Sequence, residues 1–303
     1  MRAVVAHGAG DFRLEDVPDP TLEGGAVVRM EAAGVCAADR MIYKGDSPWE
    51  LTFPFVPGHE NVGTIVELDA EAGQRWGVAE GDMVVNEVMV PCGDCPLCRR
   101  ERFHLCRSGQ HIGSSLPGGW AERMAIPPKA RVWRVPAGLA AEEAVVAEPL
   151  ACGIHAVERA DPREGETVVI SGIGAIGAGA LAYVAAVKPV AEIVALVTTP
   201  ERAAMARELG AAAAIDVTAT DAAAELRDRT AGVGPDHLLH EVAARAPGHA
   251  AAVQGLQPGA AGPQQVDVHR AQFALALELG VLEPGHRLDP GGAGGQLLDA
   301  WRL

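Results

Sequence analysis

Apolar and polar positions change rhythm once along this chain. Up to about residue 150 the apolar residues come in short runs, Ala3 to Ala6, Ala26 to Met30, Val62 to Leu68 and Met83 to Val85, broken by Gly and Pro. Runs of that length between turn residues predict strands, so this part reads as a β-rich domain with long loops. From about 160 the texture becomes alternating. A strand at Thr167 to Ile170 meets a glycine turn, an Ala-rich helix from Ala175 to Val187 and a second strand at Ile193 to Val197. The alternation continues with a helix from Pro200 to Leu209 closed by Gly210, a strand ending near Ile215, a helix opened by Asp221 and a strand from Asp236 to Leu239. Strand, helix, strand predicts a parallel sheet, and the fold class is α/β with a β-rich domain before it. After about Val242 the texture fails: the segment is rich in Ala, Gly, Gln, Pro and His, offers one helix-like run at Ala271 to Leu279, and shows no strand. The expected organisation is 1–150, 151–242 and an atypical tail, 243–303.

A length of 303 residues suits two domains rather than one. The balance of 25 Lys and Arg against 40 Asp and Glu gives a net charge of −15, which repels phosphate backbones and anionic lipid surfaces. Nucleic acid and membrane partners are therefore not expected. Met1 to Gly10 has no apolar core of signal-peptide kind and no stretch is long enough to span a bilayer, so a cytoplasmic protein is expected. In that reducing setting six cysteines, four of them between Cys92 and Cys106, read as metal ligands rather than disulfides.

Cys92, Cys95, Cys98 and Cys106 have the spacing C-x2-C-x2-C-x7-C, which lets a tight loop surround a tetrahedral ion with four thiolates. Zinc is the expected metal, with an iron–sulfur cluster or a redox pair as alternatives. A closed shell of four thiolates leaves no place for substrate, so such a zinc is structural. The second motif is Ser171-Gly172-Ile173-Gly174-Ala175-Ile176-Gly177, a G-x-G-x-x-G between a strand and a helix. Gly172, Gly174, Ile176 and Gly177 are the expected dinucleotide contacts, because glycines allow the turn and the close approach of a pyrophosphate to the amides of a helix N-terminus. An acid at the end of the next strand would hold the ribose of NAD, but that strand ends in Thr198 and Thr199, with Arg202 nearby. The hydroxyls of Thr198 and Thr199 with Arg202 could receive the phosphate of NADP, or Arg202 could be an ordinary solvated helix residue, so NAD and NADP both stay open.

The loop from Pro91 to Cys106 resembles the structural zinc lobe of the zinc-containing medium-chain alcohol dehydrogenases. Gly34-Val35-Cys36-Ala37-Ala38-Asp39, Pro57-Gly58-His59-Glu60 and Glu148-Pro149-Leu150 are similar to that family's three catalytic-zinc segments. The resemblance covers about residues 1 to 242. It implies a GroES-like catalytic domain holding two zincs, one catalytic and one structural, then a Rossmann doubly wound parallel sheet, with the active site in the cleft between them. Cys36, His59 and Glu60 become the expected ligands of the catalytic zinc, and Glu148 a fourth ligand or one linked through water. Asp39 would fix the ring of His59. A thiolate, an imidazole and a carboxylate with one open place make a Lewis acid able to hold an alcohol oxygen while a hydride leaves for the nicotinamide. Cys152 and His155 are assigned to packing.

Within the family, the His59-Glu60 pair and Glu148-Pro-Leu-Ala-Cys-Gly-Ile-His-Ala look most like the sorbitol, threonine and polyol branch. The implied reaction is hydride transfer between a secondary alcohol, such as a polyol, sugar alcohol or cyclitol, and NAD or NADP. Two positions depart from the family: Ala38 stands where a proton-relaying hydroxyl is common, and Met41 where a histidine often stands. With the odd tail, these suggest an alternative, a catalytically impaired zinc-binding paralogue. A zinc module for protein or nucleic-acid recognition would explain neither His59-Glu60 nor the glycine turn. The tail itself reads as truncated or frameshifted, leaving the sheet with a bare edge after Leu238, the C-terminal part incomplete and a homo-oligomer in question.

Overall fold

Antiparallel strands come first along the chain and parallel strands second. The computed structural model describes residues 1–240 and the backbone of a strand at 264–267. Two units emerge, one from Met1 to Glu148 and one starting at Pro149.

In the first unit, β1 (Arg2–Gly8) and β2 (Asp11–Asp16) form an antiparallel hairpin. β3 (Ala26–Ala33), β4 (Asn61–Leu68), β5 (Met83–Asn86), β8 (Arg123–Ile126) and β9 (Val132–Arg134) form a five-stranded antiparallel sheet in the order β8-β3-β4-β5-β9. β6 (Met89–Val90) and β7 (Gln110–His111) make a short separate pair. Val28, Ile65, Val84, Ile112, Met124 and Ile126 pack into one core, each at most 2% exposed. The four sequence-expected strands are present, each extended by one or more residues, while β2, β8 and β9 were not legible. β2 is Asp-Phe-Arg-Leu-Glu-Asp, whose charges hide it from a search for apolar runs. Three helices, α1 (Ala37–Lys44), α2 (Ala70–Trp76) and α3 (Ala141–Ala144), lie in the connections.

α4 (Ala147–Ala160) carries the chain into the second unit. There β10 (Thr167–Ser171), α5 (Ala175–Val187), β11 (Glu192–Val197), α6 (Pro200–Glu208), β12 (Ala213–Asp216), α7 (Ala222–Arg229) and β13 (His237–His240) alternate as the sequence pattern predicts. All strand pairs are parallel and the order is β12-β11-β10-β13-β14, so the chain moves outward from β10 in one direction, then returns and continues on its other side. That is the doubly wound arrangement, with its switch point between β10 and β13. The strands are apolar without alternation because both faces are covered: Val169, Val194 and Leu196 are fully buried. α5 is thin enough for close packing. A Cβ on Gly153 of α4 would fall 2.6 Å from the Ala180 nitrogen and the Ile176 carbonyl oxygen of α5.

One expectation needs correction. A strand does follow Val242: β14 (Gln264–Asp267) pairs in parallel with β13, Leu238 opposite Gln265 and Leu239 opposite Val266, so the edge beyond Leu238 is not bare. Gln-Gln-Val-Asp contains one apolar residue, and strand pairing runs through backbone N–H and C=O groups that a hydropathy pattern does not register. The helix-like run at Ala271 to Leu279 and the rest of the tail lie outside the described residues. Among the described residues no helix is long and apolar enough to cross a membrane.

Candidate functional site

The β3–β4 pairing brings the first group of candidate residues together. Ala33 at the end of β3 faces Asn61 at the start of β4, so the residues just after one strand and just before the other must lie side by side. The Gly34 N–H donates to the Glu60 carbonyl oxygen at 2.8 Å, continuing the ladder one step beyond the sheet. A Cβ at Gly34 would fall 1.9 Å from Glu60 Oε2, so only glycine leaves that carboxylate its space. Cys36 caps α1, and Asp39 Oδ2 accepts the Cys36 backbone N–H at 2.8 Å, which pins the first turn.

The result is a cluster in which ligand atoms of Cys36, His59 and Glu60 all lie within 4.8 Å of one another. Its electrostatics are unusual for a site with no cation. Burial, with help from the charges of Glu60, Glu148 and Asp39 and against a backbone hydrogen bond from Ala38, pushes the Cys36 thiol up to about 12. Burial and the Asp39 charge push the Glu60 carboxyl up to about 7. A pocket that resists both negative charges, yet gathers a thiol and a carboxylate, suits a divalent ion that would reverse the balance. Asp39 is 2% exposed, and its buried Oδ1 has no hydrogen-bond partner while lying 3.8 Å from His59 Nδ1. Burial pushes the Asp39 carboxyl up and the His59 imidazole down, each opposed by the charge of the other. A lowered imidazole pKa favours the neutral ring that a metal ligand must be. Glu148 stands in the first turn of α4, outside the group of three ligand atoms, but near enough for its charge to act on Cys36. Ala38 and Met41 both lie on α1 and bring no hydroxyl or imidazole to it. Cys152 and His155 are half-buried on α4.

The second group is the loop of two short 3-10 turns, Cys98–Arg100 and Phe103–Leu105. Sγ atoms of Cys92, Cys95, Cys98 and Cys106 lie within 4.8 Å of one another, with Cys92 to Cys98 at 3.9 Å and Cys95 to Cys106 at 4.0 Å. Four sulfurs about 2.3 Å from a central zinc would stand about 3.8 Å apart on the edges of a tetrahedron, whereas a disulfide needs about 2.05 Å. All four cysteines are free of disulfides. Backbone N–H groups of Cys92 and Cys98 donate to the sulfurs of Cys106 and Cys95 at 3.3 and 3.4 Å. The Cys98 donor is the largest influence bringing the Cys95 thiol down to about 7. Lys129 Nζ donates to the Cys92 carbonyl at 2.6 Å, and the Arg131 guanidinium stacks on Phe103 at 5.0 Å and Trp133 at 5.2 Å, tying the loop to its own unit.

In the second unit, Gly172 takes a φ of +89° and Gly174 caps α5. A Cβ on Gly177 would lie 1.9 Å from the Gly172 carbonyl oxygen, so the turn closes only with glycine there. Ile176 is half-buried beside them and, with Ser171, Gly177 and His240, lines a small cavity at the switch-point end of the strands. Thr198 follows β11, half-buried, while Thr199 caps α6 by accepting the Arg202 N–H at 3.3 Å. The exposed Arg202 guanidinium turns toward Met205 of its own helix. Glu192, at the other end of β11, is paired with Arg229.

What sequence reasoning missed is the support of the His59 segment. Gly118-Gly119-Trp120 lies against Val56-Pro57-Gly58 through three backbone hydrogen bonds of 2.8 to 3.0 Å. The paired glycines before Trp120 were the available signal, since a Cβ on Gly118 would fall 2.2 Å from the Gly58 carbonyl oxygen.

Comparison with known proteins shows the family and the fold. The model of the alcohol dehydrogenase GroES-like domain matches residues 23–137. The erythritol/L-threitol dehydrogenase of Mycolicibacterium smegmatis is 41% identical over 269 residues, covering 84% of this chain and 72% of that one. The sorbitol dehydrogenase of Halalkalibacterium halodurans is 32% identical over 243 residues, covering 79% and 69%. A solved structure from Sinorhizobium meliloti 1021, described as a candidate zinc-binding dehydrogenase and bound to NADP, superposes with a TM-score of 0.76 at 26% identity, covering 91% of this chain and 82% of that one.

Proposed function

Because the chain belongs to the zinc-containing medium-chain alcohol dehydrogenases, in their sorbitol and polyol branch, we propose that it oxidises a secondary hydroxyl of a small acyclic polyol with NAD or NADP. The observation that carries this reading is the meeting of Cys36, His59 and Glu60, a mixed group one short of a tetrahedral shell, in a chain whose four clustered thiols are a separate group. The polyols after which two relatives are named, erythritol/L-threitol and sorbitol, support a polyol as the substrate class.

In this reading Cys36, His59 and Glu60 hold the catalytic ion, and Cys92, Cys95, Cys98 and Cys106 hold the structural one. When bound, the catalytic zinc supplies Lewis acidity that lowers the pKa of an alcohol. Asp39, 3.8 Å from His59 Nδ1, restrains the His59 ring, and Glu148 meets the site through water or as a fourth ligand. With Ala38 in place of a hydroxyl, the alcohol proton leaves through water or the Glu60 carboxylate. Gly172, Gly174, Ile176 and Gly177 receive the pyrophosphate at the N-terminus of α5. Thr198 and Arg202 stand at the strand end where a ribose is met, offering a hydroxyl and a guanidinium rather than a carboxylate, so NAD and NADP both belong in the test.

A panel of polyols, including erythritol, L-threitol and sorbitol, followed with each dinucleotide by absorbance of the reduced cofactor, tests the reading. Turnover of at least one polyol by protein carrying two zincs is expected. Zinc-loaded protein that oxidises none of them would overturn it in favour of an impaired paralogue.

A further inference from the structure

Trp120 touches both segments that carry the Cys36 and His59 ligands. Its indole Nε1–H donates to the Gly34 carbonyl at 2.9 Å, two residues before Cys36. Its backbone N–H donates to the Pro57 carbonyl at 3.0 Å, two residues before His59. The ring also lies against Gly58. A Cβ there would fall 2.4 Å from Trp120 Cδ1, and Gly58 holds a φ of +96° that other residues rarely adopt. Trp120 is in turn anchored to the hairpin: its carbonyl accepts the Val4 N–H at 2.8 Å, and its ring meets Phe12 edge-on at 6.3 Å.

Beyond the last β3–β4 pair, Ala33 opposite Asn61, the two segments are also linked by the Gly34 N–H to the Glu60 carbonyl and by the Asp39–His59 contact at 3.8 Å. One backbone bond and a 3.8 Å contact still leave Gly34 and Val35 some freedom to turn, which would move Cys36 relative to His59. A second attachment on the far side of Gly34, made by a flat and half-buried ring, removes that freedom. A metal shell tolerates ligand errors of only about 0.2 Å, so freedom at this hinge translates into lost affinity.

We propose that Trp120 is a positioning residue that sets the separation of Cys36 and His59 and thereby the metal affinity of their cluster. The proposal rests on the reading of that cluster as the catalytic zinc site. It assigns Trp120 no contact with substrate, cofactor or ion.

Zinc withdrawal by a graded chelator competition tests it in the full chain, with the two release phases assigned by His59→Ala. Trp120→Phe keeps the ring against Gly58 but deletes the Nε1 donor. It is expected to weaken the Cys36 phase by about 10- to 100-fold, the usual cost of losing a group that orients a metal ligand, while the four-cysteine phase stays where it was. Trp120→Ala, which removes the ring as well, is expected to weaken the same phase further. A purely structural role would lower both phases together or neither, and either result overturns the proposal. If the variants do not fold, hydrogen exchange at the Trp120 indole N–H of the unsubstituted chain decides. Slow exchange that becomes slower on zinc loading supports the bond to Gly34, and fast exchange unaffected by zinc overturns it. Wild-type protein with one zinc phase would sink the metal-site reading and this proposal with it, whereas two phases with unchanged variants sink the role of Trp120 alone.

Discussion

Cys36 shows how far single residues carry the argument. Left to burial and to the three carboxylates around it, its thiol stays protonated like that of an ordinary buried cysteine, and a cation in the cluster would favour the thiolate instead. In the proposed reading the catalytic metal depends on His59 and Cys36 alike, and not on the distant thiolates. Cys36→Ala or His59→Ala is expected to remove one zinc of two by metal analysis and to lower dehydrogenase turnover by at least about 100-fold, since the Lewis acid is worth several kcal/mol of barrier. Loss of both zincs, or of neither, would contradict the assignment. These ligand types were legible in the sequence because metal chemistry demands particular side chains at particular spacings. Trp120 was not legible, because a hydrogen bond from an indole to the Gly34 carbonyl leaves no mark in spacing or composition.

Among the elements, the buried parallel strands announce themselves and the edges do not. β10 and β11 read correctly since two covered faces require continuous apolar runs, and α5 read correctly since Gly and Ala are what a helix crowded against a strand and another helix can carry. β14, held by backbone pairing to β13, could not be seen that way. Between β10 and β13 there is also a polar fastening. Glu166 Oε2, one residue before β10, accepts the Arg163 N–H at 2.6 Å and lies 2.8 Å from Nε2 of the buried His237 on β13. The Arg163 N–H and then His237 hold the Glu166 carboxyl below its ordinary value of 4.5. A depressed carboxyl pKa adds stability that is present above the unfolded value and is lost as pH falls through the folded one. Glu166→Gln should therefore melt at a lower temperature than wild type at neutral pH, with the gap closing as the buffer is taken below pH 4.5. A gap that stays constant down to pH 3, roughly a unit below an ordinary carboxyl, would mean that the charge of Glu166 contributes nothing.

At the scale of the whole molecule, the candidate ligands divide between the units as their chemistry does. Cys36, His59, Glu60 and the four clustered cysteines all belong to Met1–Glu148, and the glycine turn with Thr198 and Arg202 belongs to the unit that starts at Pro149. Each unit has its own apolar core, around Val28, Ile65 and Met124 in one and around Val169, Leu196 and Leu226 in the other. Neither candidate shell draws a ligand from the parallel sheet. The loop from Cys92 to Cys106, by contrast, has two 3-10 turns, no helix or long strand, and side chains mostly at its surface, so in the proposed reading a zinc held by its four thiolates contributes much of its order. Chelating the zinc should then expose Arg99, Arg100 and Arg102 to trypsin and raise amide exchange across residues 92–106, while β10, β11 and β13 keep their protection. Adding the dinucleotide at about 100 times its dissociation constant should instead stabilise the second unit by about 2.7 kcal/mol, seen as slower exchange at Gly172 to Gly177 and at the end of β11. Hydrogen exchange read by mass spectrometry separates these responses. If chelation deprotects the parallel sheet as strongly as the cysteine loop, the two cores unfold as one block, and the division of labour argued from their separate packing is wrong.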